Sequence, residues 1–111
     1  MSPTQRTLKL MRERGWIAEV TERWIPGGGG RPGIRKDLWS FCDVLCIHPD
    51  TGEILAVQTT SASNASARVK KIAECELTPI VRKCGIGIHV HGWVKPSKSN
   101  RRWTVRERDL S

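Results

Sequence analysis

Asp43 stands in the run Phe41-Cys-Asp-Val-Leu-Cys-Ile-His48, whose other central positions are apolar. A carboxylate in such a strand is costly unless it is paired or holds a cation. Gln58 and Thr60 share one face of the next apolar run, Glu53-Ile-Leu-Ala-Val-Gln-Thr-Thr60. An acid and an amide carbonyl brought together by a hairpin offer oxygen ligands, which suit a hard divalent cation. A second constellation is weaker. His89 and His91 alternate on one strand, and with Cys75 or Cys84 they suggest zinc, but the spacings match no common four-ligand pattern. They read as polar strand positions, and Cys42 and Cys46 as small core residues on one side of their strand.

The hairpin that joins Asp43 to Gln58 is the clearest element. Pro49-Asp-Thr-Gly52 is a tight-turn sequence with Gly where positive φ is expected. Both runs are apolar at nearly every central position, which predicts a sheet covered on both faces with this hairpin at its centre. Ahead of it, Ser2 and Pro3 open a helix, Gln5 stands at capping-box spacing, Leu8 and Met11 face inward, and Gly15 closes it. Trp16 to Ile25 alternates as one strand. Residues 26–36, beginning Pro26-Gly-Gly-Gly-Gly-Arg-Pro-Gly33, read as an exposed Gly-rich loop, and no Gly-Lys-Ser/Thr follows to make it a phosphate-binding P-loop. After the hairpin, Ser61–Asn64 supplies caps for a helix over Ala65–Glu76, and Thr78, Pro79 and Gly85 frame a shorter one. Strands over Gly85–Val94 and Arg102–Arg108 flank a basic turn. The order is α-β-β-β-α-α-β-β: a single α/β domain over 1–111, with a central mixed β-sheet flanked by helices.

Lys and Arg number 19 against 11 Asp and Glu, a net charge of +8 that invites a polyanionic partner while also serving solubility. The basic side chains fall in three groups. Arg31, Arg35 and Lys36 border the Gly-rich loop, Arg68, Lys70 and Lys71 lie on the polar face of the helix after the hairpin, and Lys95, Lys98, Arg101 and Arg102 crowd the last turn. Trp93 and Trp103 beside that turn are core residues or base-stacking platforms. The longest aliphatic stretch, Ile54–Val57, is far short of the roughly 18 residues of a membrane span. With no secretory segment at the start and cysteines in apolar contexts, the expectation is a reduced, cytoplasmic protein that does not enter membranes.

From Arg6 to Lys71 the order of elements, and the placing of Asp43 before Gln58-Thr-Thr60 and a basic helix, resembles the PD-(D/E)XK nuclease superfamily. This is the restriction-endonuclease-like fold that includes Holliday-junction resolvases and phage nucleases of the VRR-NUC type. In that family an Asp on the hairpin precedes a Glu-x-Lys on the following strand. Here Asp43 aligns with the Asp, Gln58 with the Glu and Thr60 with the Lys, and Trp39-Ser-Phe-Cys-Asp43 resembles the approach to the family's Asp. The resemblance implies hydrolysis of phosphodiesters in duplex or branched DNA with Mg²⁺ or Mn²⁺, a phage or prophage source and a homodimer. Asp43 and Gln58 would be metal ligands and Asp43, Gln58, Thr60 and Asp37 the catalytic set. Gln58 is a neutral ligand where the family has a charged one, and Thr60 carries no cation. A further acid would come from Asp37, Glu13, Glu19 or Glu22, and a substitute cation from Arg68, Lys70 or Lys71. The alternative is a member of the same fold that binds nucleic acid or a protein partner and no longer cleaves.

Overall fold

Ser2 caps the first helix, its hydroxyl accepting the Gln5 N–H at 3.2 Å, with Pro3 in the first turn where its missing N–H costs nothing. In the computed structural model, which describes residues 1–111, α1 runs Pro3–Glu13 and ends before Gly15 at φ +91°. Gly15 tolerates that left-handed turn because it lacks a Cβ. Thr7, Leu8 and Met11 are buried along one stripe of α1, the spacing expected of a helix lying on a sheet.

Strands β1 (Ile17–Val20), β4 (Val44–Ile47), β5 (Ile54–Ser61), β6 (Gly87–Val94) and β7 (Thr104–Asp109) form one mixed sheet in the order β1-β4-β5-β6-β7. All neighbours are antiparallel except β5 and β6, which are parallel and joined through α2 (Ala65–Glu74) and α3 (Thr78–Lys83). The expected α/β class, the mixed sheet and its central hairpin are all present. β5 is its middle strand and is buried from Leu55 to Thr60.

Alternation along β5 divides two cores. Leu55 and Val57 meet Leu8, Met11, Ala18, Val44 and Cys46 beneath α1, while Ala56 joins Phe41, Cys42, Ala65, Ile72, Val81, Ile88 and Val90 beneath α2 and α3. Cys42 and Cys46 therefore serve opposite faces, because the chain leaves regular strand geometry before Val44. The helix start is packed tightly against β6. A Cβ on Gly92 would lie 3.1 Å from Ala62 Cα and 3.2 Å from Ala65 Cβ, so glycine permits the approach.

Several boundaries differ from the sequence reading. Trp16–Ile25 is not one strand. β1 stops at Val20, whose partner Val44 is the first residue of β4, and the chain leaves the sheet for lack of a neighbour. Arg23–Ile25 (β2) then pairs with Ile34–Lys36 (β3) in a separate two-stranded ribbon. The Gly-rich loop is accordingly 26–33, and 34–36 is strand. α2 ends at Glu74, and Thr78 does not cap α3 but is buried, donating its hydroxyl to the Ile72 carbonyl at 2.6 Å. The last two strands begin two residues later than expected, at Gly87 and Thr104. No helix is long and apolar enough to cross a membrane, and all four cysteines are free thiols, with Cys42 and Cys46 buried and Cys84 exposed.

Candidate functional site

Antiparallel and parallel pairing together decide what gathers at one end of the sheet. The start of β4 lies beside the ends of β1, β5 and β6 and the start of β7. Asp43, the chain leading into the β2–β3 ribbon, the start of α2 and the β6–β7 turn therefore share that end. Topology brings Lys36 at the base of the ribbon, Arg68 of α2, and Lys95, Lys98, Arg101 and Arg102 of the last turn to the same pole as Asp43, whereas Arg31 lies in the loop at the ribbon's far tip and Arg35 pairs with Trp24 one step along it.

Asp43 is held just beyond the last β4–β5 pair. Its N–H donates to the Val57 carbonyl at 2.9 Å. Its Oδ2 accepts three hydrogen bonds, from Gln58 Nε2 at 2.6 Å, from the Thr59 N–H at 2.7 Å and from Thr59 Oγ1 at 3.2 Å. The carboxylate continues a ladder that β4 no longer reaches. Thr59 in turn shares a 2.7 Å hydrogen bond with Thr4 of α1. Gln58 Oε1 is buried with no partner, and Thr60 is buried beside Gly92 without touching Asp43.

Asp37 returns to Asp43 through an unusual turn. Leu38 and Cys42 bridge across it, and Trp39 and Ser40 both take left-handed backbone, φ 56° and 70°. Such φ values cost of order 1–3 kcal/mol each in non-glycine residues and persist only where surrounding packing imposes them. Phe41, fully buried, anchors the turn. Its consequence is two neighbouring carboxyls. Burial pushes the Asp43 carboxyl up to about 7; the Thr59 N–H opposes this, and the Asp37 carboxyl adds to the rise. No lysine or arginine forms an ion pair with either acid.

Cationic side chains flank the turn on both sides. Arg23, Lys36, Asp37, Trp39 and Ser40 line a cavity of about 340 Å³, and Lys70 and Lys71 line another of about 480 Å³ that meets the first at Ser40. Of the three residues considered as a substitute cation, Lys70 and Lys71 thus border Ser40 and Phe41. Of the other acids considered, Glu13 and Glu19 pair with Lys9 and Arg12 of α1, and Glu22, next to the Thr21 whose N–H donates to the Asp43 carbonyl at 3.0 Å, lies 3.9 Å from Arg35 of the ribbon.

A second polar cluster lies on the α1 side of the sheet, in the same row as Thr59. Thr59 pairs with His91 of β6, and His91 with Glu107 of β7. His91 is fully buried and not a surface-facing strand residue, because α1 covers this part of β6. Its Nδ1 lies 3.2 Å from Thr7 Oγ1, which also accepts the Trp93 Nε1–H at 2.9 Å. Arg14 grips both oxygens of Glu107, at 2.5 and 3.1 Å. Burial lowers the His91 pKa to about 4, against the opposing pull of Glu107. Trp93 is thus core, whereas Trp103 is partly exposed with the Arg6 guanidinium 3.7 Å above its ring.

Thr7→Val keeps the shape of that site while leaving the buried Trp93 N–H without an acceptor. A loss of about 1–3 kcal/mol is expected, read as a lower urea midpoint at unchanged slope. An unaltered midpoint would mean that the Thr7 oxygen contributes nothing to the fold.

No family model, curated protein or solved structure matches this chain.

Sequence reasoning passed over Thr59, Thr4, Thr7, Arg14, Arg23 and Glu107. Thr59 stands between the two residues nominated on β5. Arg14 and Glu107 are 93 positions apart, and only the crossing of α1 over β6 and β7 joins them.

Proposed function

We propose that this protein binds DNA across the basic pole of the sheet and hydrolyses phosphodiester bonds at the Asp37–Asp43 pair with Mg²⁺ or Mn²⁺. The observation that carries the reading is the pair itself: two adjacent carboxyls, one of them buried, with no cationic side chain to neutralise them, at the pole where the basic segments converge. A restriction-endonuclease-like arrangement is the finer reading of the fold, supported by three antiparallel strands, a crossover through α2 and a fourth strand parallel to the third.

The donor set suits a hard cation. Asp37 and Asp43 would hold it, and the orphaned Gln58 Oε1 would reach it through a turn of the amide. When bound, the ion supplies charge neutralisation at a phosphate and a more acidic water. The chain's own residues do the rest. Thr59 fixes the Asp43 carboxylate through its N–H and hydroxyl. Lys36 and Arg23 on one side of the Ser40 turn, and Lys70 and Lys71 on the other, hold the nucleic-acid backbone by phosphate contact.

The decisive assay incubates the protein with linear duplex, single-stranded and four-way-junction DNA in Mg²⁺ or Mn²⁺ beside Asp43→Ala. Metal-dependent products that disappear in the variant support hydrolysis. One observation favours a second reading, a binder that no longer cuts: Asp43 Oδ2 is already satisfied by three donors, and Thr60 offers no charge. Tight, salt-sensitive binding without products would establish it.

Binding itself has a quantitative signature. Each phosphate-contacting cation contributes about 0.9 to the slope of log K against log salt on duplex DNA. Lys70→Ala/Lys71→Ala is expected to flatten that slope by about two, with similar losses on unrelated sequences. A slope equal to that of the parent would remove α2 from the interface.

A further inference from the structure

His91 Nε2 is buried, has no hydrogen-bond partner and lies 3.3 Å from Glu107 Oε1. Ring nitrogens of His89 and His91 and a carboxylate oxygen of Glu107 lie within 4.8 Å of one another. We propose that His89, His91 and Glu107 form a binding site for a divalent transition-metal ion, for which Zn²⁺ is the best chemical match.

Each histidine has one ring nitrogen engaged and the other left over. His91 Nδ1 is held by Thr7, leaving Nε2; His89 Nε2 lies 3.4 Å from Asp109 Oδ1, leaving Nδ1 buried and unpartnered. This is how metal-ligating imidazoles are oriented, with the second nitrogen fixed by a carboxylate or hydroxyl so that the first presents its lone pair. Two imidazoles and one carboxylate make a three-residue zinc set with an open fourth position. Ligand bonds of about 2.0–2.1 Å in a tetrahedron place neighbouring donor atoms about 3.3 Å apart, the separation found between His91 Nε2 and Glu107 Oε1.

Access and charge are consistent with an ion. His89 and Asp109 line a cavity of about 390 Å³, and the Glu107 side chain is 35% exposed, so solvent borders two of the three residues while His91 is buried between them. Glu107 Oε1 is shared with Arg14, whose side chain is 42% exposed and can retain Oε2 alone. The ligands stand on β6 and β7 and include neither Asp37 nor Asp43, so metal uptake here is read separately from any nuclease activity.

The test is titration of Zn²⁺ into the full chain, with stoichiometry and affinity read by calorimetry and by competition with a colorimetric chelator. One equivalent is expected, with affinity at least a hundredfold lower in His89→Ala and in Glu107→Gln. Thr7→Val should weaken binding roughly 10–100-fold through the His91 ring. Because His91 is fully buried, His89 and Glu107 carry the test, and circular dichroism of each variant confirms that it folds. Cys75→Ser/Cys84→Ser controls for the accessible thiols and should bind as the parent does. Co²⁺ should give tetrahedral visible bands without thiolate charge transfer. Absence of uptake, uptake retained in the folded His89→Ala and Glu107→Gln variants, or uptake lost in the cysteine variant would overturn the proposal.

Discussion

Asp43→Asn is expected to stabilise the fold at pH 8 by about 2–4 kcal/mol, at roughly 1.4 kcal/mol per unit of pKa displacement, while removing any metal-dependent cleavage. The Asp43 carboxyl is raised from 3.8 to about 7 by burial, aided by Asp37. The folded chain therefore holds a proton that the unfolded chain releases above pH 4. Stability is at its full value below the unfolded pKa and is lost as pH rises through the folded one. Asparagine carries no charge at either end of that range. Parent and variant should thus differ least near pH 4, diverge through pH 5–7 and reach their full separation by pH 8. His91 acts in the opposite sense. With its folded pKa lowered to about 4 from 6.5, its contribution is present above pH 6.5 and lost as pH falls toward 4, but it is common to both proteins and cancels in the difference. Urea unfolding of the pair at pH 4, 6 and 8 measures the divergence. A separation that does not depend on pH would mean that the buried carboxyl is not strained by its setting.

Phe41→Ala is expected to cost about 3–5 kcal/mol, the range for removing a fully buried aromatic ring. Phe41 packs with Ala56, Ile72, Ile88 and Val90 in the core beneath α2 and α3, while its own backbone completes the Trp39–Ser40 turn. The effect should reach the site as well as the core. The left-handed pair at Trp39 and Ser40 holds only while Phe41 is anchored, and Asp37 depends on that turn to meet Asp43. In the folded fraction of the variant, the pH-dependent gain from Asp43→Asn should therefore shrink. Phe41→Leu keeps an apolar anchor of comparable reach and should lose less than about 1.5 kcal/mol. Chemical unfolding of the three proteins, with the Asp43→Asn increment measured in each, separates anchoring from simple loss of volume.

The parts of the fold that could be read in advance were those whose causes are local. Gly15 and Gly52 mark chain reversals through their positive φ, and the apolar centres of β4 and β5 declared a doubly covered hairpin. Asp43 was conspicuous because a charge in an apolar run needs an explanation. The remainder depended on contacts between distant segments. Nothing within Trp16–Ile25 says that β4 begins at Val44, so the end of β1 could not be inferred from its own alternation. Ile34–Lys36 sits beside a glycine run and becomes a strand only because β2 is there to pair with it. The burial of His91 follows from α1 crossing β6, and its partner Glu107 belongs to the last strand. Thr59 was missed for a different reason. Alternation assigned it to the face opposite Gln58, yet both reach Asp43, because that residue sits where the ladder ends and is open to donors from either side.

The final strand has one more effect. β7 is an open edge of the sheet, six residues long and largely exposed, and its unpaired amides and carbonyls would be a template for another chain. Arg106, Glu107, Arg108 and Asp109 load both of its faces with charge, basic on one side and acidic on the other. A strand added there would set its own side chains beside these four charges. The opposite edge, β1, is four residues long. The charges of β7 thus have two uses at once: they make an open edge a poor template for a further strand, and through Glu107 and Arg14 they fasten that edge to the end of α1.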